Sequence, residues 1–273
     1  MKSLAALNHD QSPEWLLAFD FDGTLVDSDT EEPIDPHFFD LIRSLRDSDR
    51  IVWGVNTGRT LMHTVEGILQ AEFPFLPDFL IVREREIYTP NAFGRWVPDD
   101  SWNRNCSRAH ARLFLKHKPL LLGIRRWVEA ETAAVWGFQE AEPDGIVAKT
   151  PSEMDEIVAY IDAQIENAAE LSYQRNSIYL RFSHANYHKG TAMREVARQL
   201  GCGTERTFAI GDGHNDLDML NLAMACHLAC PANACDDVRQ QVDRLGGYVS
   251  EAAASKGVVE ALTALFREHG VEA

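Results

Sequence analysis

"WLLAFDFDGTLVDSD", residues 15–29, sets two carboxylates, Asp20 and Asp22, at the end of an apolar run and follows them at once with Gly23 and Thr24. Five apolar residues in succession suit a strand buried on both faces. Side chains alternate along a strand, so Asp20 and Asp22 start on the same side before the turn at Gly23 swings the second acid away from the first. Burying an unpaired charge costs a great deal. A divalent cation at this strand end would offset that cost, and the rest of the chain can be searched for its other ligands.

The same pattern recurs along the chain. "RIVWGVNTGR" is a second apolar strand ending in Thr57, Gly58 and Arg59, and "RTFAIGDGHND" is another ending in Asp212 to Asp216. Helical spacing appears in "DPHFFDLIRSLRDSD" (Phe38, Leu41, Ile42, Leu45) and in "TLMHTVEGILQAEF" (Leu61, Val65, Ile68, Leu69). "KGTAMREVARQLG", "NACDDVRQQV" and "SKGVVEALTALFREH" read as further helices, and "PDFLIV" and "CHLAC" as strands. Apolar strands alternating with helices specify a doubly wound, Rossmann-like parallel α/β sheet. Such sheets bind ligands beyond the carboxyl ends of their strands. Single clusters of Asp, Asn and Thr are ordinary helix caps. Three of them at strand ends, with a lysine, point to one shared site.

Residues 86–185 read differently. Four of the six tryptophans fall there, with strand-like pieces at 120–130, 134–141, 144–150 and 176–183 and a helix at 152–170. This predicts an α+β insert between two halves of the core, 1–85 and 186–273. The basic run Lys116–Lys118 reads as a solvated helix end.

Composition limits the partners. In 273 residues the net charge is −16, with 45% hydrophobic and 25% charged residues, ordinary for a globular protein. That charge argues against a nucleic-acid partner, which needs a basic face. No apolar segment approaches a membrane span. The five cysteines have neither a disulfide rhythm nor a CxxC pair, so free thiols and a cytoplasmic location are expected. Nothing in the pattern specifies an oligomeric state.

Carboxylates Asp20, Asp22 and Asp212 make an oxygen-rich donor set suited to Mg²⁺ rather than zinc. The Thr57 hydroxyl with nearby amides at a helix start, the Lys189 ammonium in "YHKG" and the Asn215 amide complete a cradle for a phosphoryl group. Phosphoryl transfer rests on that kind of positioning and charge stabilisation.

"DFDGT", "NTGR", "KG" and "GDGHND" resemble, in their order along most of the chain, the four motifs of the haloacid dehalogenase-like hydrolases. An insert between the Thr and Lys motifs resembles the type 2 cap of the Cof-like and sucrose-phosphate-phosphatase-like branch. The resemblance implies that Asp20 is the nucleophile and Asp22 the general acid and base. It implies that Asp20, the Asp22 carbonyl and Asp212 hold Mg²⁺, that Thr57, Gly58, Lys189 and Asn215 hold phosphate, and that Asp216 steadies the metal site or Lys189. It implies hydrolysis of a small phosphate ester, a sugar or polyol phosphate, within a specificity-giving cap. A phosphotransferase or mutase using the same intermediate, and a catalytically idle regulator on the same fold, are the alternatives. "LPDFLIVREREIY" departs from the pattern: the branch carries a glycine-containing turn where this chain has Arg83, Glu84 and Arg85. Those three are candidate substrate contacts, as are Arg181, His184 and Asn186, where the insert rejoins the core. A solvated hinge is the plainer reading for the first three, and a hinge histidine for His184.

Overall fold

The chain is seen in a computed structural model that describes residues 13–27, 30–49, 51–137 and 145–269. It divides into two units, the first holding the described residues up to Asn103 and from Lys189 onward, the second Arg104–His188.

In the first unit, β1 (Trp15–Phe19), α1 (Pro36–Asp49), β2 (Ile51–Asn56), α2 (Leu61–Gln70) and β3 (Phe79–Val82) follow one another as expected. After β4 (Glu86–Pro90) and β5 (Trp96–Pro98) comes α3 (Asp100–Glu131). The second unit contains β6 (Val135–Trp136), β7 (Gly145–Val147), α4 (Pro151–Ile165), β8 (Leu171–Asn176) and β9 (Tyr179–His184). The chain then completes the first unit with α5 (Lys189–Leu200), β10 (Thr207–Ile210), β11 (His227–Cys230), α6 (Asp236–Arg244), β12 (Tyr248–Val249) and α7 (Ala254–Glu268).

The large sheet has the order β12-β11-β10-β1-β2-β3-β4-β5. Its pairings are parallel from β12 to β3 and antiparallel through β4 and β5. Strand alternation divides the interior into two cores. Leu17, Phe19, Trp53, Val55, Leu80, Phe208 and Ile210 face α1 and α7, packing with Phe38, Ile42, Leu262 and Phe266. Leu16, Ala18, Val52, Phe79, Ile81 and Ala209 face α5 and α6, packing with Met193, Val196, Val238 and Val242. Helices therefore cover both faces, and the ends of β1, β2 and β10 lie side by side because β1 pairs with each of the other two. The connections run in opposite directions from β1, the point at which sheets of this kind bind ligands.

The insert does not begin at residue 86. Ile87 is buried opposite Ile81, and Tyr88 pairs with Leu80, so β4 extends the main sheet by a tight antiparallel return. Trp96 and Trp102 consequently belong to the first unit, Trp102 donating its indole N–H to the Arg85 carbonyl at 2.7 Å. The strand expected at 120–130 is helix. Helix α3 continues through Pro119 and Gly123, because Leu113, Leu121, Ile124 and Val128 supply an apolar stripe at helical spacing. Lys116–Lys118 accordingly sit inside α3 and not at its end.

The second unit is a four-stranded antiparallel sheet, β6-β7-β9-β8, packed with α4 and α3. Trp127 and Tyr160 stack with ring centroids 3.8 Å apart, and Trp136 lies 5.6 Å from Phe182. These two tryptophans belong to the packing of their unit. All five cysteines are free, three of them buried. Among the described residues, no helix is long and apolar enough to cross a membrane.

Candidate active site

Asp20 follows β1 and remains in the ladder, its N–H donating to Ile210 O at 3.0 Å. Lys189, the first residue of α5, is fully buried and extends its ammonium between two acids. Nζ donates to Asp20 Oδ1 at 2.5 Å and to Asp216 Oδ1 at 2.6 Å. The other oxygen of Asp216 accepts the backbone N–H groups of Asp212 (3.0 Å) and Gly213 (2.9 Å). Both Asp216 oxygens are thereby engaged in fixing Lys189 and the loop after β10. Asp212 Oδ1 accepts the Thr24 hydroxyl at 2.8 Å. Carboxylate oxygens of Asp20, Asp212 and Asp216 all lie within 4.8 Å of one another.

Three acids share one ammonium, and the imbalance shows at Asp20 and Asp212. Burial pushes the Asp20 carboxyl well above the usual range, Asp216 and Asp212 add to the shift, and Lys189 opposes it. Burial, with Asp216 adding, pushes Asp212 up to about 6. Burial would lower Lys189, but the charges of Asp20 and Asp216 outweigh it and hold the ammonium above its ordinary value. A hard divalent cation fits this donor set. Asp20 and Asp212 are the carboxylates that could hold it, and its charge would relieve the excess.

The turn after β1 serves the same cluster. Gly23 has φ +75°, and a Cβ there would lie 2.6 Å from Asp212 Oδ2. Gly23→Ala is therefore expected to lower stability by about 1–2 kcal/mol for the left-handed backbone alone and to displace the Asp212 carboxylate. A urea titration, with and without Mg²⁺, measures both effects; the added stability from Mg²⁺ should shrink.

Asp22 points elsewhere. Its carboxylate forms a two-pronged pair with Arg59, Nε–Oδ2 at 2.8 Å and Nη2–Oδ1 at 2.5 Å, and is about half exposed. Arg59 also lies over the Phe21 ring, 4.9 Å from its centroid. This partnership was not foreseen, although Arg59 is in the quoted "NTGR" run; nothing in the spacing links it to Asp22. Nor does Thr57 begin a helix. Its N–H donates to Ile81 O at 2.8 Å and its hydroxyl accepts the Arg59 N–H at 3.1 Å, while α2 starts at Leu61 with Thr60 as its cap. Thr57 itself is buried.

Of the other candidates, Glu84 joins the cluster. It is buried and accepts from Asn215 Nδ2 at 2.9 Å. Arg83 pairs with Glu86 at 3.2 Å, and Arg85 reaches the Arg83 carbonyl at 3.4 Å. His184 is a packing residue of the second unit: its N–H donates to His110 Nε2 at 3.2 Å and its Nδ1 accepts the Asn186 N–H at 3.2 Å. Burial lowers its pKa. Arg181 lies on β9, opposite Gly145 and Gln174.

Residues 138–262, which include Lys189 and the Asp212–Asp216 loop, match the model of a family described as haloacid dehalogenase-like hydrolase. Asp20 and Thr57 lie outside that match, yet the sheet brings them to the same strand ends. The matched part of the chain is similar to the haloacid dehalogenase-like hydrolases. A phosphoglycolate phosphatase of Thermoplasma volcanium is 26% identical over 95 residues, 32% of this chain and 42% of that protein, so the match spans less than half of the relative's length. Among solved structures, a sucrose-phosphatase from Synechocystis, in complex with sucrose and phosphate, shares the fold. Its TM-score is 0.71 at 19% identity, over 93% of this chain and 98% of that one. A phosphatase from Bacteroides thetaiotaomicron gives a TM-score of 0.57 at 19% identity, over 94% and 96%. The fold of these two structures thus extends across both units of the chain.

Proposed function

We propose that the protein is a Mg²⁺-dependent phosphatase that hydrolyses a small phosphorylated metabolite, a sugar or polyol phosphate, through an aspartyl-phosphate on Asp20. The observation that carries this reading is the buried Asp20–Lys189–Asp216 chain beside Asp212, at adjoining strand ends. It supplies a carboxylate nucleophile and a fixed cation together. When bound, Mg²⁺ would supply charge neutralisation to the phosphoryl group.

Asp20 Oδ would attack phosphorus, forming the acyl-phosphate as the bond to the leaving oxygen breaks. Asp22 would give that oxygen its proton. In the second step Asp22 would take a proton from water as the water oxygen attacks phosphorus, releasing inorganic phosphate and restoring Asp20. Lys189, the Thr57 hydroxyl and the Asn215 amide would hold the phosphoryl oxygens. Arg59 would keep Asp22 placed until a leaving group competes for it. A lysine at 59 retains the charge but loses the two-pronged grip. Arg59→Lys is expected to lower kcat about tenfold or more while KM changes less, as steady-state kinetics would record.

All these groups lie in the first unit. Selection of the leaving group is assigned to the second, where an α+β module can vary without touching the chemistry. Sugar and polyol phosphates are favoured by the sucrose-phosphatase likeness and by the acidic surface, which suits a small partner better than a nucleic acid.

The test is phosphate release from a panel of sugar, polyol, glycerate and nucleotide monophosphates, with Mg²⁺ and with chelator. Selective Mg²⁺-dependent release supports the reading. Transfer to an added alcohol in place of water, or no release from any member, overturns it.

A further inference from the structure

Arg83 and Glu84, in the turn between β3 and β4, have φ of 51° and 65°, the only adjacent pair of non-glycine residues in the left-handed region among those described. Side chains disfavour that region, so such a pair persists only where its surroundings hold it. Two backbone bonds do so: Arg83 N–H to Arg59 O at 2.8 Å and Glu84 N–H to Thr57 O at 2.9 Å. The strained turn is thereby fastened along the loop that follows β2.

Its effect is to bury the Glu84 carboxylate against the Thr57–Gly58 loop. A Cβ on Gly58 would lie 3.2 Å from Glu84 Oε1 and 3.8 Å from Asn215 Nδ2, so glycine at 58 is what lets the three approach. Glu84 Oε1 in turn accepts from Asn215 Nδ2 at 2.9 Å. A carboxylate only accepts, which settles which face of the Asn215 amide it meets: the NH₂ side must turn to Glu84. The second N–H of that group is then set in direction as well. An acid beside an anion-binding loop opposes the anion's charge. Charge therefore gives no reason for it, and geometry does.

We propose that Glu84 is a positioning residue of the phosphate site: by gripping Asn215 Nδ2 above Gly58 it ties the loops after β2, β3 and β10 together and presets the Asn215 amide for a phosphoryl oxygen. This rests on the phosphatase reading of the same site.

The test compares wild type, Glu84→Gly and Glu84→Gln as full-length proteins, titrating inorganic phosphate calorimetrically in Mg²⁺ buffer and recording Tm. Glycine adopts φ 65° freely, so Glu84→Gly relieves the backbone strain and is expected to fold, yet to bind phosphate about tenfold more weakly. Glutamine still accepts through Oε1 and should recover part of the affinity. In turnover, KM should rise more than kcat falls. Phosphate affinity equal to wild type in Glu84→Gly, or tighter, overturns the inference, whatever happens to Tm. Wild-type turnover with that result leaves the phosphatase reading standing. A wild type that neither binds nor releases phosphate overturns both.

Discussion

Lys189→Met is expected to lower the unfolding free energy by about 3–5 kcal/mol at neutral pH, the usual loss when one partner of a buried ion pair is removed. The ammonium is fully buried between Asp20 and Asp216, themselves almost entirely enclosed. Methionine fills the space but leaves two neighbouring carboxylates without their cation. The pH dependence separates this cause from lost packing. In wild type the Lys189 pKa is raised, so its contribution is fully present below the ordinary lysine value and is lost only as pH rises past the folded one. Across the neutral range it should be constant. In the variant Asp20, whose carboxyl burial already raises, can regain neutrality by taking up a proton, so the deficit should shrink as pH falls towards 5. Urea titrations of both proteins at pH 5 and 7.5 measure this. A deficit below 1 kcal/mol at pH 7.5, or one independent of pH, would show that the pair does not carry the stability assigned to it.

The contrast between Lys189 and Glu84 shows how far residue order alone can locate a site. Asp20, Thr57, Lys189 and Asp212–Asp216 were legible because each stands where a strand ends or a helix begins, and those are the positions a parallel sheet brings together. Glu84 stands in a charged run, Arg83–Glu86, that reads equally well as a solvated hinge. What distinguishes it is a pair of positive φ angles and the missing Cβ of Gly58, and neither is visible before the chain is folded. Arg59 was hidden for a similar reason: an Arg–Asp pair 37 residues apart depends on the direction of two turns. The failure at α3 was of another kind. The apolar run at 120–130 reads as a strand by itself, while in the molecule Leu121, Ile124 and Val128 continue the stripe begun at Leu113 and pack as one helix, even through Pro119. The early placing of the insert went with counting Trp96 and Trp102 as part of it. In the fold 86–98 is the antiparallel edge of the old sheet.

Asp20→Asn is expected to reduce phosphate release by about 10⁴-fold or more, the scale of loss when an enzyme's nucleophile is removed, while leaving the protein folded. The fold should survive because the substitution cuts both ways. Lys189 loses one acceptor but keeps Asp216 at 2.6 Å. At the same time Asp216 and Asp212 lose the like charge that, with burial, helped to raise Asp20. The amide keeps the size of the carboxylate and can still accept from Nζ. Mg²⁺ binding should weaken, because one of the two carboxylates able to hold the ion is gone, and this gives a readout free of turnover. Wild type should gain thermal stability on addition of Mg²⁺, with Asp20→Asn gaining less. Rapid-quench experiments with ³²P-labelled substrate should find label on wild-type protein and none on the variant. Retention of more than about a tenth of wild-type activity by a folded Asp20→Asn protein is incompatible with covalent catalysis at this residue. The buried lysine and its acids would then be structural, and the reaction would have to proceed by direct attack of water on the phosphoryl group.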